Sequence, residues 1–99
     1  MTDFITSERR GRALWITIER PEVRNALNPQ AHLELSGAFD LFADDDSLWV
    51  AVLTGRGDKA FCVGSDLKHR VEAGSNQTPD TGFAGICERY DLDKPVIAA

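Results

Sequence analysis

The sequence predicts an α/β fold, and three successive patterns lead to this prediction. Residues 13–19 alternate apolar and polar side chains, as a half-buried strand does. Residues 29–43 repeat apolar side chains with the period of an amphipathic helix. Residues 48–54 form a nearly continuous apolar run, which is typical of a strand buried on both faces. A strand, a helix and a strand in this order predict a parallel β-α-β crossover.

The strand predicted at residues 13–19 is expected to belong to a hairpin. Residues 4–8 are also strand-like, and the basic, Gly11-containing stretch between the two segments suits a turn. The helix has a clear start, because Asn28 can cap it and Pro29 suits its first turn. Three aspartates at residues 44–46 end it in solvent. Its apolar stripe consists of Leu35, Ala38, Phe39 and Phe42.

Composition limits the classes of function. The 99 residues fit one small domain or part of a larger one, and 42% hydrophobic residues are enough for a core. A net charge of -5 argues against a nucleic-acid or membrane-surface role, since both need a basic face. No apolar run approaches the roughly 20 residues of a membrane span, and the N-terminal segment lacks the apolar centre of a signal peptide. We therefore expect a cytoplasmic location.

The cysteines and histidines predict neither a metal site nor a hydrolase. Cys62, His69 and Cys87 have spacings that match no zinc pattern, and an intracellular setting favours free thiols over a disulfide. Neither Ser65 nor Cys62 has a histidine in a motif that would activate it as a nucleophile. His32 lies within the predicted helix, where a surface or packing role is expected. We expect no bound metal.

Two interpretations compete for the loop after residue 54, where ligands bind in folds of this kind. Gly55, Gly57 and Ala60 have the spacing of a dinucleotide-binding turn, with Asp80 about 20 residues downstream. That fingerprint must open directly into a helix, whereas residues 60–64 are apolar and strand-like. A Rossmann unit is therefore disfavoured.

The second interpretation takes residues 59–68, KAFCVGSDLK, as a binding segment. Gly64 permits close approach of the backbone to a ligand, and residues 65–68 are predicted to open a short helix. The first amides of a helix have no intrahelical partners and suit a developing oxyanion. Further on, residues 69–82 are expected to form a surface loop or lid, and residues 83–90 a short helix.

The last residues also carry a prediction. Residues 96–99, VIAA, have the pattern of a further buried strand at its beginning. A domain seldom stops inside an apolar strand, because an unpaired edge invites association. We therefore expect residues 1–99 to be part of a larger unit, and the intact polypeptide to have a mass well above that of these residues.

Three segments together resemble the enoyl-CoA hydratase/isomerase (crotonase) superfamily. They are RPEVRNALN at residues 20–28, LTGRGDKAFCVGSDLK at residues 53–68 and DKPVIAA at residues 93–99, in that family's order and approximate spacing. The resemblance covers essentially the whole chain. It implies a crotonase-like ββα spiral, of which residues 1–99 form the N-terminal part of a single domain.

The resemblance also implies the site residues. In crotonase-like proteins, the residue that matches Ser65 gives one backbone N–H of the oxyanion hole for the thioester oxygen. Its amide matters more than its hydroxyl, since alanine is common at this position. Arg24 and Lys68 are the implied phosphate partners, with ordinary solvated charges as the alternative, and Arg20 and Lys59 are weaker candidates. Asp66 alternatively caps the helix that it opens. The implied coenzyme A contacts are Val23, Arg24, Ala26, Ala60, Gly64, Ser65, Asp66, Leu67 and Lys68.

The implied activity is that of an acyl-CoA enzyme, most commonly the hydration of a 2-enoyl-CoA through a stabilised thioester enolate. No cofactor is implied beyond the coenzyme A of the substrate, and the implied assembly is a homo-oligomer, a trimer or a dimer of trimers. The family's second oxyanion amide and its acid/base carboxylates follow the segment that ends at Ala99, and neither Glu72 nor Glu88 matches them. The alternatives are an enoyl-CoA isomerase, another crotonase-type lyase or hydrolase, or a non-catalytic fragment that only binds coenzyme A.

Overall fold

The computed structural model describes residues 4–58, 60–62, 64, 83–86, 89 and 92–99, and within them it has the predicted α/β architecture. Two short 3₁₀ helices accompany the main elements, at Pro21–Val23 and Phe83–Gly85. The main elements in chain order are β1 (Ile5–Arg10), β2 (Ala13–Ile18), α1 (Pro29–Asp44), β3 (Val50–Gly55) and β4 (Val96–Ala98).

The four strands form one sheet in the order β1-β2-β3-β4. β1 and β2 make the predicted antiparallel hairpin, in which Ile5 pairs with Ile18, and Gly11 adopts a φ of 60° in the turn. β2 runs parallel to β3, so the predicted crossover through α1 is confirmed. β4 pairs in parallel with the other side of β3, which confirms a strand at the VIAA segment. The prediction that this strand is buried is wrong for the described chain, because Ile97 and Ala98 are exposed.

Helix α1 begins as the sequence predicts. Oδ1 of Asn28 accepts a hydrogen bond from the backbone N–H of Ala31 at 2.8 Å, and Pro29 occupies the first turn. Its end has a partner that the sequence does not reveal. Nζ of Lys94, just before β4, donates to the carbonyl oxygens of Phe42 at 2.8 Å and of Asp45 at 2.7 Å. These carbonyls belong to the helix end, where no backbone partner remains.

The core lies between α1 and one face of the sheet. Its buried residues include Ile5, Leu14, Ile16, Ile18, Leu27, Ala31, Leu35, Phe39, Phe42, Leu48 and Ala51. His32 is buried with them, and its Nδ1 accepts a hydrogen bond of 2.9 Å from the backbone N–H of Ala84. Burial holds the pKa of His32 below its ordinary value. The packing role expected for this histidine is confirmed.

The prediction that residues 48–54 are buried on both faces is wrong at one end. Ala51 and Val52 point to opposite faces and are both buried, but Trp49 is 60% exposed. The Trp49 ring precedes β3 and lies against the guanidinium of Arg12, 4.4 Å from its centroid. An apolar run in the sequence therefore extends past the part of the strand that the core covers.

The helix predicted over residues 83–90 is also wrong in its extent. The described part is a single 3₁₀ turn at Phe83–Gly85, in which Ala84 has a φ of 58°. The chain passes so close to α1 that a Cβ on Gly85 would lie 2.5 Å from Cα of Ser36. The turn therefore packs directly against the helix backbone, where only glycine fits. Residues 87, 88 and 90 lie outside the described residues, as do the helix predicted at 65–68 and the loop predicted at 69–82.

No helix in the described part of the chain is both long and apolar enough to span a bilayer. Likewise, the described residues hold no group of three or more histidine, cysteine, aspartate or glutamate side chains that could bind a metal ion.

Candidate functional site

The connection between β2 and α1 is a tight turn. After the 3₁₀ helix Pro21–Val23, two successive residues adopt left-handed backbone angles, Arg24 at a φ of 54° and Asn25 at 60°. Residues other than glycine rarely adopt these backbone angles, and asparagine does so more readily than most. The backbone N–H of Asn25 closes the turn with a 2.7 Å hydrogen bond to the carbonyl of Arg20. The turn leaves Val23 and Arg24 exposed at its tip.

The side chain of Asn25 points inward and joins three stretches of backbone. It is fully buried, and its Oδ1 accepts a hydrogen bond from the N–H of Arg20 at 2.9 Å. Its Nδ2 donates to the carbonyl of Arg56 at 3.0 Å and to that of Ala60 at 2.9 Å. Both partners of Nδ2 lie in the loop after β3. The turn and this loop are therefore held together by one amide group.

Gly55, the last residue of β3, makes this contact sterically possible. A Cβ at this position would lie 2.1 Å from the carbonyl oxygen of Phe61 and 2.6 Å from Nδ2 of Asn25. Real Cβ atoms do not approach other atoms so closely. The loop therefore folds back directly over the strand end, and only glycine leaves room for it.

The residues that follow are anchored at a second point. The backbone N–H of Leu27 donates to the carbonyl of Gly64 at 2.7 Å, and the N–H of Gly64 lies 3.4 Å from Sγ of Cys62. Gly64 has a φ of 100°, in the region that favours glycine. Ala60 and Gly64 are thus each held by a hydrogen bond from residues 25–27.

A pocket of about 100 Å³ opens between the turn and the loop. Its lining carries two arginines, Arg24 and Arg56, and one aspartate, Asp58, which leaves a net positive formal charge. Two nitrogens of Arg56 each donate to the carboxylate of Glu19 at 2.8 Å, and this contact holds the pKa of Glu19 below its usual range. Arg24 has no such ion pair within the described residues, so it is the cation available to an anion. The pocket is lined by Pro21, Arg24, Asn25, Arg56, Gly57, Asp58 and Ala60.

A larger open groove of about 450 Å³ lies beside this pocket, at the carboxyl ends of β3 and β4. Ala60 lines both. In sheets with parallel strands, ligands usually bind outside the carboxyl ends. A cationic pocket that shares lining residues with a larger, mostly uncharged groove suits a ligand with an anionic end and an extended body. The groove is lined by Thr54, Gly55, Gly57, Asp58, Ala60, Phe61 and Ala99.

The structure brings together several of the residues implied as coenzyme A contacts. Arg24 and Ala60 line the cationic pocket, Val23 is exposed at the tip of the turn, and Gly64 is bonded to the segment behind it. Ala26 is buried, and its carbonyl accepts a hydrogen bond of 2.8 Å from the guanidinium of Arg20. The remaining implied contacts lie outside the described residues, together with Lys59: they are Ser65, Asp66, Leu67 and Lys68.

Two features of the site were missed in the sequence. Asn25 stood within a segment implied to bind coenzyme A, but its bonds to residues 31 and 35 positions away left no local signal. No role was predicted for Arg56 from the sequence, although it lines the pocket. Arg20, named as a weaker phosphate candidate, supports the turn through its bond to Ala26, and its guanidinium also lies 4.9 Å from the ring centroid of Phe4.

The sequence of the whole chain decides the family. The profile of the enoyl-CoA hydratase/isomerase family matches residues 8–99. The chain belongs to this family. The curated carnitinyl-CoA dehydratases of Proteus mirabilis and Citrobacter koseri are 44% and 42% identical to it over 104 aligned residues, which include 100% of this chain and 38% of each relative.

Solved structures of the enoyl-CoA hydratase/isomerase family have the same fold. A carnitinyl-CoA hydratase from Mycobacterium avium matches with a TM-score of 0.89 and 39% identity, over 99% of this chain and 38% of that one. An enoyl-CoA hydratase from Mycobacterium tuberculosis H37Rv matches with a TM-score of 0.86 and 40% identity, again over 99% and 38%. The crotonase-like fold is confirmed, and the Rossmann alternative is wrong. This chain spans 38% of the length of each of these relatives.

Proposed function

We propose that the full-length protein is an acyl-CoA enzyme that hydrates the double bond of a 2-enoyl-CoA. The observation that carries this proposal is the anchoring of Ala60 and Gly64 by residues 25–27, beside the cationic pocket at the carboxyl end of β3. Residues 59–68 are the segment that the family resemblance assigns to the thioester. Family membership and the names of the relatives support the same reaction class.

Binding would begin with the phosphates. Arg24 carries its charge at the tip of the turn, on a chain with a net charge of -5, so it attracts a polyanion locally. The groove next to the pocket, in which Asp58 is the one charged lining residue among those described, would then receive the extended pantetheine part of coenzyme A. Ala60, which lines both spaces, would lie along its path.

The oxyanion role is proposed for the backbone N–H of Ser65. The carbonyl oxygen and the N–H of a trans peptide point in opposite directions. The Gly64 carbonyl, which belongs to the same peptide group as this N–H, accepts a hydrogen bond of 2.7 Å from the backbone N–H of Leu27 and is thereby held in place. One such donor is worth about 3 to 4 kcal/mol of transition-state stabilisation.

In the proposed reaction, the oxygen of water bonds to the β-carbon while the double-bond electrons move toward the thioester carbonyl. The carbonyl oxygen gains negative charge, which the Ser65 amide stabilises, and the α-carbon then takes a proton. We propose that carboxylates elsewhere in the full-length protein move these protons. No cofactor is needed beyond the coenzyme A that the substrate carries.

Dehydration of carnitinyl-CoA is a second candidate. It is favoured by the names of the curated relatives, which are 42% and 44% identical to this chain. Both reactions interconvert a hydroxyacyl and an enoyl thioester, so they would use the same oxyanion amide. An isomerase, another lyase or hydrolase, and a protein that only binds coenzyme A are the other outcomes of the test.

The test uses the full-length protein with a short-chain 2-enoyl-CoA and with carnitinyl-CoA as separate substrates. Changes in the ultraviolet absorbance of the conjugated thioester report either reaction. Ser65→Ala should keep most activity, because the amide remains, whereas Ser65→Pro removes the N–H and should lower kcat about 100-fold or more. Equal losses in both variants would show that the hydroxyl does the chemistry. Saturable binding of coenzyme A without turnover of either substrate would reject both proposed activities and favour a protein that only binds coenzyme A.

A homo-oligomer, as a trimer or a dimer of trimers, and a cytoplasmic location belong to the same proposal. Light scattering of the purified full-length protein and imaging of a fluorescent fusion would check them.

A further inference from the structure

The position of Asn25 requires a side chain that both accepts and donates hydrogen bonds, and an amide does both. One oxygen accepts from the backbone of Arg20, and one nitrogen donates to the two carbonyls of Arg56 and Ala60. A carboxylate has no donor to offer these carbonyls, and an apolar side chain has neither donor nor acceptor. Since the group is fully buried, water does not replace the missing partner.

The bond to Ala60 has a counterpart at the other end of the same segment. Asn25 holds the carbonyl of Ala60 at 2.9 Å, and Leu27, two residues further on, holds the carbonyl of Gly64 at 2.7 Å. The peptide that follows Gly64 carries the proposed oxyanion amide. The positions of the Ala60 and Gly64 carbonyls relative to the turn are therefore set by one side chain and one backbone group of residues 25–27.

We propose that Asn25 is a positioning residue for the acyl-CoA site. Its Nδ2 fixes the Ala60 carbonyl, so that the backbone at Ala60 and Gly64 stays in place beside the thioester while Arg24 holds the phosphates. This inference rests on the proposed function. Asn25 itself forms no bond with the reacting atoms.

The test compares two variants of the full-length protein. Asn25→Asp keeps the shape of the side chain and the acceptor for Arg20 but loses both donors. Asn25→Gly keeps the left-handed backbone and loses the whole side chain. Lys94→Met is the control, because it removes two hydrogen bonds at the far end of α1 and lowers stability without affecting the loop.

The measurements are the Kd for coenzyme A by calorimetry, kcat for the 2-enoyl-CoA, and the thermal midpoint, with kinetics taken well below that midpoint. Both Asn25 variants should raise the Kd about tenfold and lower kcat about 100-fold, the effect of a misplacement of about 1 Å. Lys94→Met should change neither value by more than about twofold.

Three results separate the possible failures. If the unaltered protein binds no coenzyme A, the proposed function is rejected. If it binds, and the folded Asn25 variants keep both values within about twofold of it, the positioning role is rejected. If neither Asn25 variant folds at any temperature, the residue is structural and the positioning role is likewise rejected.

Discussion

The backbone N–H of Ala84 donates a hydrogen bond of 2.9 Å to Nδ1 of His32, across 52 positions of sequence. As an acceptor at Nδ1, the ring is neutral and carries its proton on Nε2. Protonation of Nδ1 would abolish this bond and place a charge in the core. His32 thus ties the 3₁₀ turn at Phe83–Gly85 to α1 only in its neutral form.

Stability should consequently depend on pH through His32. Burial lowers its pKa in the folded protein, so below the ordinary value of 6.5 the unfolded chain binds more protons. The free energy of unfolding should fall as pH decreases from 6.5 through the folded pKa. Urea denaturation of the full-length protein between about pH 7.5 and 5 measures the slope.

His32→Asn is the control for this slope. The Oδ1 of asparagine can replace Nδ1 as the acceptor, and asparagine does not titrate. The variant should be less stable at neutral pH, owing to lost volume, but should have a flatter dependence on pH. Glu19 and Asp45 have pKa values below 4.5 and 3.8, so their stabilisation is lost only in more acidic solution. An unchanged slope in His32→Asn would contradict the assignment.

Gly55→Ala and Gly37→Ala should change stability in opposite directions. At Gly55 the new Cβ would meet the Phe61 carbonyl at 2.1 Å, so the loop must move. We expect a loss of about 1–3 kcal/mol in the free energy of unfolding, together with weaker binding of coenzyme A. Gly37 lies on the exposed side of α1 with no atom within 4 Å of its Cβ position, and alanine there should add about 0.5–1 kcal/mol. Chemical denaturation measures both, and equal binding by both variants would count against the tight packing of this loop.

Arg24→Gln should weaken coenzyme A binding because it removes a cation of the pocket that has no ion pair within the described residues. We expect the Kd to rise about tenfold at low salt, with a smaller difference at high salt, where charges are screened. Arg12→Gln is a matched change of charge at the opposite end of β2, beside Trp49, and should leave the Kd unchanged. Equal effects of the two variants would mean that only net charge matters.

Arg89→Met should destabilise the fold far more than Asp40→Asn. The side chain of Arg89 is 2% exposed and donates to the carbonyls of Gly85 and Ser36 at 2.9 Å and 3.0 Å, whereas Asp40 is 61% exposed. Loss of Arg89 leaves these acceptors without their donor and should cost about 2–3 kcal/mol. Loss of the Asp40 charge should cost less than about 1 kcal/mol, because water screens the pair. A double-mutant cycle measured by urea denaturation separates the contribution of the Arg89–Asp40 ion pair from that of the hydrogen bonds to the two carbonyls.

Local signals predicted the elements well. Asn28 and Pro29 located the start of α1, and alternation over residues 13–19 located β2, because capping and strand periodicity depend on neighbours in sequence. Contacts between distant residues were not predictable. No local pattern indicates that Asn25 reaches Ala60, or that the apolar Trp49 lies in solvent against Arg12.

The candidate site was predicted by resemblance more than by pattern. The motif led to Arg24, Ala60 and Gly64, which the structure brings to one pocket and its adjoining loop. The motif includes Arg56 but implied no role for it, because a charged residue in a turn has no distinctive spacing. The hydrogen bonds that Asn25 makes to the loop could not be predicted either, because they join residues that are far apart in sequence.

The contact of Lys94 with the end of α1 has a consequence for the order of folding. Its ammonium group reaches the carbonyl of Phe42 from 52 positions away and that of Asp45 from 49. During synthesis, these carbonyls therefore gain their side-chain donor only after the lysine that precedes β4 has emerged from the ribosome. Contacts over such long separations slow folding, and a nascent chain halted before Lys94 would expose a helix whose final carbonyls are left to water.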